Sequence, residues 1–335
     1  MPEPFGLIFV GGAPRSGTTL VQRILGAHSM VYAGPEFDLV PEIMRLRGRF
    51  LKELDAGRIS VYMDEGGVNS VIAEFLTSVF ARKMRGSGRM FFSEKTPANL
   101  EVFPELRECL PDARFLFVMR DPRAVVASML EVGRKYRNEF RLGSFFSDVK
   151  RVLFSESTAD GSRGRPAAFL PPPFTRTARL AVEYINILWS RGNAARAMSD
   201  NVHVVYYEDL VNEPERIVRA MADFLGIPFE DRMLNVQESR VDMPEFKAGE
   251  QFWYTKEQLL TPIEKDALEK WRHTLTAYDR YVIHKHLTRI PGLTDRYPLT
   301  VKANVGWAFF DFWGTLFARL RLLLIKISSS LSKIL

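Results

Sequence analysis

Short apolar runs alternate with stretches of helical spacing along most of this chain. Leu7-Ile8-Phe9-Val10 is a continuous apolar run, and Leu20, Ile24 and Leu25 recur after a glycine-rich break. A strand, a loop and a helix are predicted there. Residues 38 to 85 read as helices with charged faces, broken at Gly57 and at Gly66-Gly67. A second strand is expected over Arg89–Ser93, ending in Glu94-Lys95-Thr96-Pro97, because Pro97 turns the chain. The clearest buried strand is Ala113–Met119, bounded by Pro111 and Asp121. Arg120-Asp121-Pro122-Arg123 then leads into a helix through Val125, Val126, Met129 and Leu130, with Ser128 inside it. A helix over Arg179–Met198, a strand over Val202–Tyr207 and a helix over Pro214–Leu225 complete the alternation. Residues 226 to 300 are polar and read as helix or loop. Alternating strands and helices imply an α/β fold with a mainly parallel central sheet and helices on both faces, three layers in all.

The break after the first strand reads Gly11-Gly12-Ala13-Pro14-Arg15-Ser16-Gly17-Thr18-Thr19-Leu20. A loop of this kind turns its backbone N–H groups inward, and the following helix N-terminus adds partial positive charge. The product is an anion cradle of phosphate size. The glycines allow a tight turn and close approach of a ligand. Arg15 supplies a fixed fork of donors, and Thr18 and Thr19 supply hydroxyls. The nucleoside-triphosphate version of such a loop ends Gly-Lys-Ser/Thr. Here Gly17 is followed by Thr18 and the cation precedes the glycine, so the loop is P-loop-like without being that motif.

Composition adds bounds. With 46% hydrophobic and 26% charged residues the chain can bury a real core. A net charge of +6 suits an anionic ligand, a nucleic acid or an acidic membrane face, and does not choose among them. Cys109 is the single cysteine, so no intrachain disulfide is expected, and its place in Leu106-Arg107-Glu108-Cys109-Leu110 reads as packing, not as a nucleophile. The N-terminal residues lack a basic segment followed by an apolar core, and no run of 18 uncharged apolar residues occurs, so neither a signal peptide nor a membrane span is expected. No His, Cys and carboxylate cluster has metal-ligand spacing. Residues 1–300 are read as one domain, with 138–176, rich in Gly, Pro and Arg, as a lid or insertion. From Trp307 onward the chain is aromatic and basic, and Asp311, Thr315 and Arg319 fall on one helical face. Residues 301–335 therefore read as an amphipathic helix, suited to a membrane surface, to its own domain or to a second copy of the chain.

Right-handed crossovers bring strand C-termini to one sheet edge, where ligands collect. Four polar clusters are expected there: Arg15 to Thr19, Glu36 in the turn after Gly34-Pro35, Lys95, and Arg120 with Ser128.

Pro14-Arg15-Ser16-Gly17-Thr18-Thr19-Leu20 resembles the 5′-phosphosulfate loop of sulfotransferases that use 3′-phosphoadenosine-5′-phosphosulfate (PAPS). The tyrosylprotein sulfotransferase branch is similar in its later segments too. It carries a Gly-Glu-Glu segment, a Lys before Asp-Pro, Arg-Asp-Pro-Arg-Ala-Val-Val and Tyr-Glu-Asp-Leu. This chain has Gly34-Pro35-Glu36, Lys95-Thr96-Pro97, Arg120-Asp121-Pro122-Arg123-Ala124-Val125-Val126 and Tyr207-Glu208-Asp209-Leu210. The likeness runs over roughly residues 6 to 275.

The resemblance implies transfer of a sulfuryl group from PAPS to an acceptor hydroxyl, with 3′-phosphoadenosine-5′-phosphate (PAP) as product and no metal. Arg15, Ser16, Gly17, Thr18 and Thr19 would hold the 5′-phosphosulfate. Arg120 and Ser128 would bind the 3′-phosphate, and Tyr207 would lie near the adenine. Glu36 would be the general base and Lys95 the partner of the leaving oxygen, with Arg15 also acting on the transferred group. Thr255 resembles a family Ser near the sulfuryl group, and Lys247 is a further basic candidate for the 3′-phosphate. Cytosolic small-molecule sulfotransferases place a His base just after the equivalent Lys. Thr96 and Pro97 stand there in this chain, which favours Glu36.

The tyrosylprotein enzymes are luminal, anchored at the N-terminus and disulfide-bonded. With one cysteine and no expected N-terminal anchor, a cytoplasmic enzyme, peripheral on a membrane through 305–335, is the expectation here. Its acceptor would be a protein tyrosine, a glycan or a lipid-linked hydroxyl, and no nucleic acid is expected as a partner. Two rivals stand beside this reading. One is a P-loop nucleotide kinase or NTPase; the other is a non-catalytic, membrane-associated nucleotide-binding protein.

Overall fold

The computed structural model describes residues 5–139, 177–241, 265–298, 305–309 and 311–313. Two compact units divide the chain. The first comprises Met1–Val125 and Ile185–Lys270, the second Val126–Tyr184 and Trp271–Leu335.

A five-stranded sheet forms the centre of the first unit: β1 (Gly6–Gly12), β2 (Val31–Ala33), β3 (Phe91–Lys95), β4 (Arg114–Met119) and β5 (Val202–Tyr206). Every strand pair is parallel, and the order across the sheet is β2-β3-β1-β4-β5. Both faces are covered, which is why the strands read as continuous apolar runs. Ile8, Val10, Leu116, Val118 and Val205 point to one side, where α1 (Thr18–Ala27) and α8 (Pro214–Leu225) pack on them through Val21, Ile24, Leu25, Val218 and Met221. Alternate residues point to the other side. There Phe9 stacks on Phe115 and meets Phe80 of α3 (Glu65–Met84), while Phe103 of α4 (Phe103–Cys109) packs edge-on against Phe115. Helix α6 (Ala178–Met198) approaches this face at Gly192, where an added Cβ would lie 2.7 Å from the Phe117 ring. Burying each of these large side chains contributes about 1.5–3 kcal/mol. The expected α/β fold, with its parallel sheet between two helical layers, is the one observed.

β2 was not expected as a strand, and three shifted boundaries change the reading. The second predicted strand begins and ends two residues late, because β3 pairs with β1 from Gly6↔Phe91 through Val10↔Lys95. Glu94 and Lys95 are thus ladder residues, not a polar tail. Tyr207 does not end a strand; it opens α7 (Tyr207–Asn212), with Tyr206 as the extended residue before the helix. Gly57 (φ 75°) does follow α2 (Val40–Asp55), but Gly66 and Gly67 lie in the first turn of α3. Asp64 caps that turn by accepting the Gly67 N–H at 2.7 Å, so the glycines open a helix instead of breaking one.

Helix α5 (Pro122–Glu139) begins in the first unit and continues into the second, where Ser128 lies. The second unit also holds α9 (Trp271–Thr274) and α10 (Ala277–His286). Thr276 and Asp279 close a reciprocal capping box at the start of α10. Helical residues 305–309 and 311–313 join this unit through Asp311, whose side chain is 4% exposed. Its carboxylate pairs with Lys285 at 2.8 Å, His286 at 2.8 Å and Arg179 at 3.3 Å. Trp307 packs against Tyr281, while Phe309, Phe312 and Trp313 are exposed. The start of the expected C-terminal helix is therefore attached to its own unit; Thr315 and Arg319 lie outside the described residues, as does most of the expected lid at 138–176. Among the described residues no helix is long and apolar enough to cross a membrane.

Candidate active site

The glycine-rich loop begins while β1 is still paired: Gly11 lies opposite Phe117 and Gly12 opposite Val118. An added Cβ on Gly12 would come within 2.6 Å of the Val118 carbonyl and of Ser16 Oγ, so only glycine fits. The chain then doubles back, with the Ser16 N–H donating to the Ala13 carbonyl at 2.9 Å. Arg15 (φ 73°) and Gly17 (φ 104°) both take left-handed backbone. For Arg15 this costs about 1–2 kcal/mol, a strain that the surrounding structure must hold in place. Gly17 precedes α1 and offers no side-chain cap, so the first N–H groups of α1 are left to whatever occupies the loop mouth. Ser16 Oγ is buried and has no hydrogen-bond partner among the described residues.

Lys95, at the end of β3, joins this loop to the Glu36 turn. Its Nζ donates to Thr19 Oγ1 at 3.3 Å and pairs with the Glu36 carboxylate. The Lys95 side chain is 7% exposed and that of Glu36 30%, so the pair is sheltered yet reachable from solvent. Gln22 of α1 fixes the neighbouring strand ends, donating to the Gly34 and Ser93 carbonyls at 2.8 and 3.0 Å and accepting from Ser93 Oγ at 2.6 Å. Glu94 is 1% exposed. Burial pushes its carboxyl up to about 7, against the pull of hydrogen bonds from the Phe37 N–H, Asn99 and Thr96.

Arg120 closes the other side. Its Nη1 donates to the Arg15 carbonyl at 3.1 Å and its Nη2 to the Ala267 carbonyl at 2.7 Å. The guanidinium sits 4.2 Å from the centre of the Tyr207 ring, and its buried Nε has no hydrogen-bond partner among the described residues. Tyr207 in turn backs onto the loop: a Cβ on Gly17 would fall 2.4 Å from its ring. Arg123 is engaged by Asp121 at 2.6 Å, while the Asp121 N–H donates to Glu208 at 2.8 Å.

Around one loop the first unit thus gathers Arg15, Ser16, Gly17, Thr18, Thr19, Glu36, Lys95, Arg120 and Tyr207. Ser128 belongs to the second unit. Lys247 and Thr255 lie outside the described residues. Gln22, Glu94, Thr96 and Asn99 escaped the sequence reading, although the polar run Ser93-Glu94-Lys95-Thr96 after Phe91-Phe92 was the available signal. His28 is buried, with Nε2 2.7 Å from the Pro228 carbonyl. Among the described residues no group of His, Cys, Asp and Glu is arranged to hold a metal.

The arrangement is chemically that of an anion site with a base. Two buried donors without partners among the described residues, Ser16 Oγ and Arg120 Nε, lie at a loop that presents helix N–H groups. A multiply charged phosphate or sulfate ester fits such a set, since its oxygens accept from all of them. A carboxylate and an ammonium stand at the same mouth.

The profile of the Sulfotransferase family matches residues 7–158 and 167–231. A protein-tyrosine sulfotransferase of Drosophila melanogaster is 29% identical over 271 residues, covering 79% of this chain and 46% of that protein. Protein-tyrosine sulfotransferase 1 of Danio rerio is 28% identical over 274 residues, covering 79% of this chain and 65% of that protein. The chain thus spans about half to two thirds of the length of these relatives. Among solved structures, the sulfotransferase domain of the Synechococcus PCC 7002 olefin synthase aligns with a TM-score of 0.48 at 18% identity, over 87% of this chain and 98% of that one. Since the family profile covers more than half of its residues, the chain belongs to the sulfotransferase family.

Proposed function

We propose that this protein transfers the sulfuryl group of PAPS to an acceptor hydroxyl by in-line displacement, with Glu36 as general base. The observation that carries the reading is the contact of Lys95 with both Thr19 and Glu36 at the loop mouth. It ties a cation, an acceptor-side carboxylate and an anion cradle into one constellation.

In this mechanism Glu36 takes the proton of the attacking hydroxyl. The hydroxyl oxygen forms a bond to sulfur as the bond from sulfur to the bridging phosphate oxygen breaks. That electron pair stays on the bridging oxygen, where Lys95 stabilises it. Arg15, the Ser16, Thr18 and Thr19 hydroxyls and the α1 N–H groups balance the charge on the 5′-phosphosulfate. Positioning and electrostatics supply most of the acceleration, as they do in phosphoryl transfer. Arg120 binds the 3′-phosphate and Tyr207 lies by the nucleoside, with Ser128, Lys247 and Thr255 as further ligands that the resemblance suggests. The relatives' name supports a tyrosyl hydroxyl as acceptor.

The test is calorimetric titration of the full chain with PAP, ADP and ATP, with and without magnesium. Magnesium-independent binding of PAP, well above that of ADP, is the expected result. Preference for ATP with magnesium would sink the reading in favour of a nucleotide kinase. PAP binding with no turnover over a range of acceptors would favour a binding protein.

A further inference from the structure

Glu36 sits on a turn, Gly34 to Asp38, that belongs to no helix or strand. Asp38 in that turn takes left-handed backbone (φ 55°). A base on such a segment acts well only if the segment is held, because a displacement of about 1 Å at a reacting group costs on the order of a hundredfold in rate.

Four consecutive residues of β3 and its end hold it. The Ser93 carbonyl accepts the Gly34 N–H at 2.9 Å. The Glu94 carboxylate accepts the Phe37 N–H at 3.0 Å. Lys95 takes the Glu36 carboxylate itself. The Thr96 hydroxyl accepts the Asp38 N–H at 3.2 Å and donates to Glu94 at 2.7 Å. Glu94 is too buried to meet a substrate. All three of its partners, the Phe37 N–H, Thr96 Oγ1 and Asn99 Nδ2, are donors.

We propose that Glu94 is a positioning residue for the base: together with Thr96 it grips the backbone on the far side of Glu36, so that the Glu36 carboxylate stays at Lys95 beside the loop. The inference rests on the sulfotransferase reading for its catalytic consequence, and on the hydrogen-bond geometry alone for the grip.

Substitutions separate the grip from the charge. In Glu94→Gln the amide oxygen still accepts from Phe37 and Thr96. Its NH2 then faces Asn99, whose Oδ1 has no partner among the described residues and turns inward when that amide flips. Glu94→Ala removes the acceptor, and Thr96→Val removes the acceptor for Asp38 without changing the volume much.

The experiment compares the full-length wild type with Glu94→Gln, Glu94→Ala and Thr96→Val. It measures hydrogen exchange of the segment holding Phe37 and Asp38, PAP affinity, and kcat. Thr96→Val serves if the alanine variant does not fold. The expected result is faster exchange of that segment in the alanine and valine variants, with PAP affinity kept. Their kcat falls by about 10- to 100-fold, and Glu94→Gln restores both readouts. Unchanged exchange in the folded variants overturns the proposal, and so does a loss of PAP affinity as large as the loss of kcat. If the wild type neither binds PAP nor transfers a sulfuryl group, the functional reading fails, and the exchange data alone decide whether Glu94 grips the turn.

Discussion

Arg120 donates to the main-chain carbonyl of Arg15, 3.1 Å away, in the residue whose backbone is left-handed. The contact crosses from the end of β4 to the loop after β1. It makes the cation proposed to bind the 3′-phosphate a brace for the loop as well. With Nη1 on Arg15 and Nη2 on Ala267, the guanidinium is fixed at two points, and its buried Nε has no partner among the described residues.

Arg120→Ala is therefore expected to weaken PAP binding by about 10- to 100-fold, the worth of one or two charge-assisted hydrogen bonds. Arg120→Lys should recover little, because a single ammonium cannot span two carbonyls and stack on Tyr207. Calorimetry on both variants checks this. Wild-type affinity in Arg120→Ala would remove the residue from the site.

Glu36→Gln keeps the shape of the side chain and loses its basicity. We expect kcat to fall by about 10²- to 10⁴-fold, the usual contribution of a general base, with PAP affinity nearly unchanged. A variant that turns over normally would assign the base elsewhere.

Gly17→Ala puts a methyl into the Tyr207 ring at a positive φ. A loss of about 1–3 kcal/mol of stability is expected from the strain, visible as a lower Tm, together with weaker PAP binding because α1 starts at the next residue. Retention of both would mean that Tyr207 moves away freely.

Glu94 sets a direction for the pH dependence of stability. Its folded carboxyl is raised to about 7 from an ordinary 4.5. The folded chain therefore holds the proton more tightly than the unfolded chain does. That contribution is fully present below about pH 4.5 and is lost as pH rises to about 7, an effect on the order of 3 kcal/mol. Urea unfolding at pH 5 and pH 8 should show the wild type losing stability with rising pH, and Glu94→Gln losing markedly less. Equal slopes would mean that the site is better solvated than its burial indicates.

β1 and β4 were legible because burial on both faces leaves their interior positions apolar: Ile8 and Phe9 face opposite layers and both are apolar. Arg15, Glu36, Lys95 and Arg120 could be placed because parallel topology puts strand C-termini on one edge. What escaped was the difference between a strand's polar end and the loop beyond it. Glu94 looks like a surface carboxylate in a string of letters, and only the neighbouring β1 ladder and the Phe37 N–H make it an interior one. The place of Tyr207 at the start of a helix escaped for a similar reason, since an aromatic after Val204-Val205-Tyr206 fits a strand pattern equally well until its ring is seen under Gly17. The strain at Arg15 and Asp38 has no sequence signature, as neither is a glycine.

Asp311 has a consequence for how the chain can be shortened. Its carboxylate is shared by Arg179, Lys285 and His286, residues drawn from two distant stretches of sequence. Ending the chain before residue 311 would remove this carboxylate with everything that follows it, and leave three basic groups converging on a point where their common partner had been. Such a truncation acts as a charge substitution inside the second unit, so a shortened protein that behaves badly would be reporting on that lost anion before it reported on anything the remaining tail does.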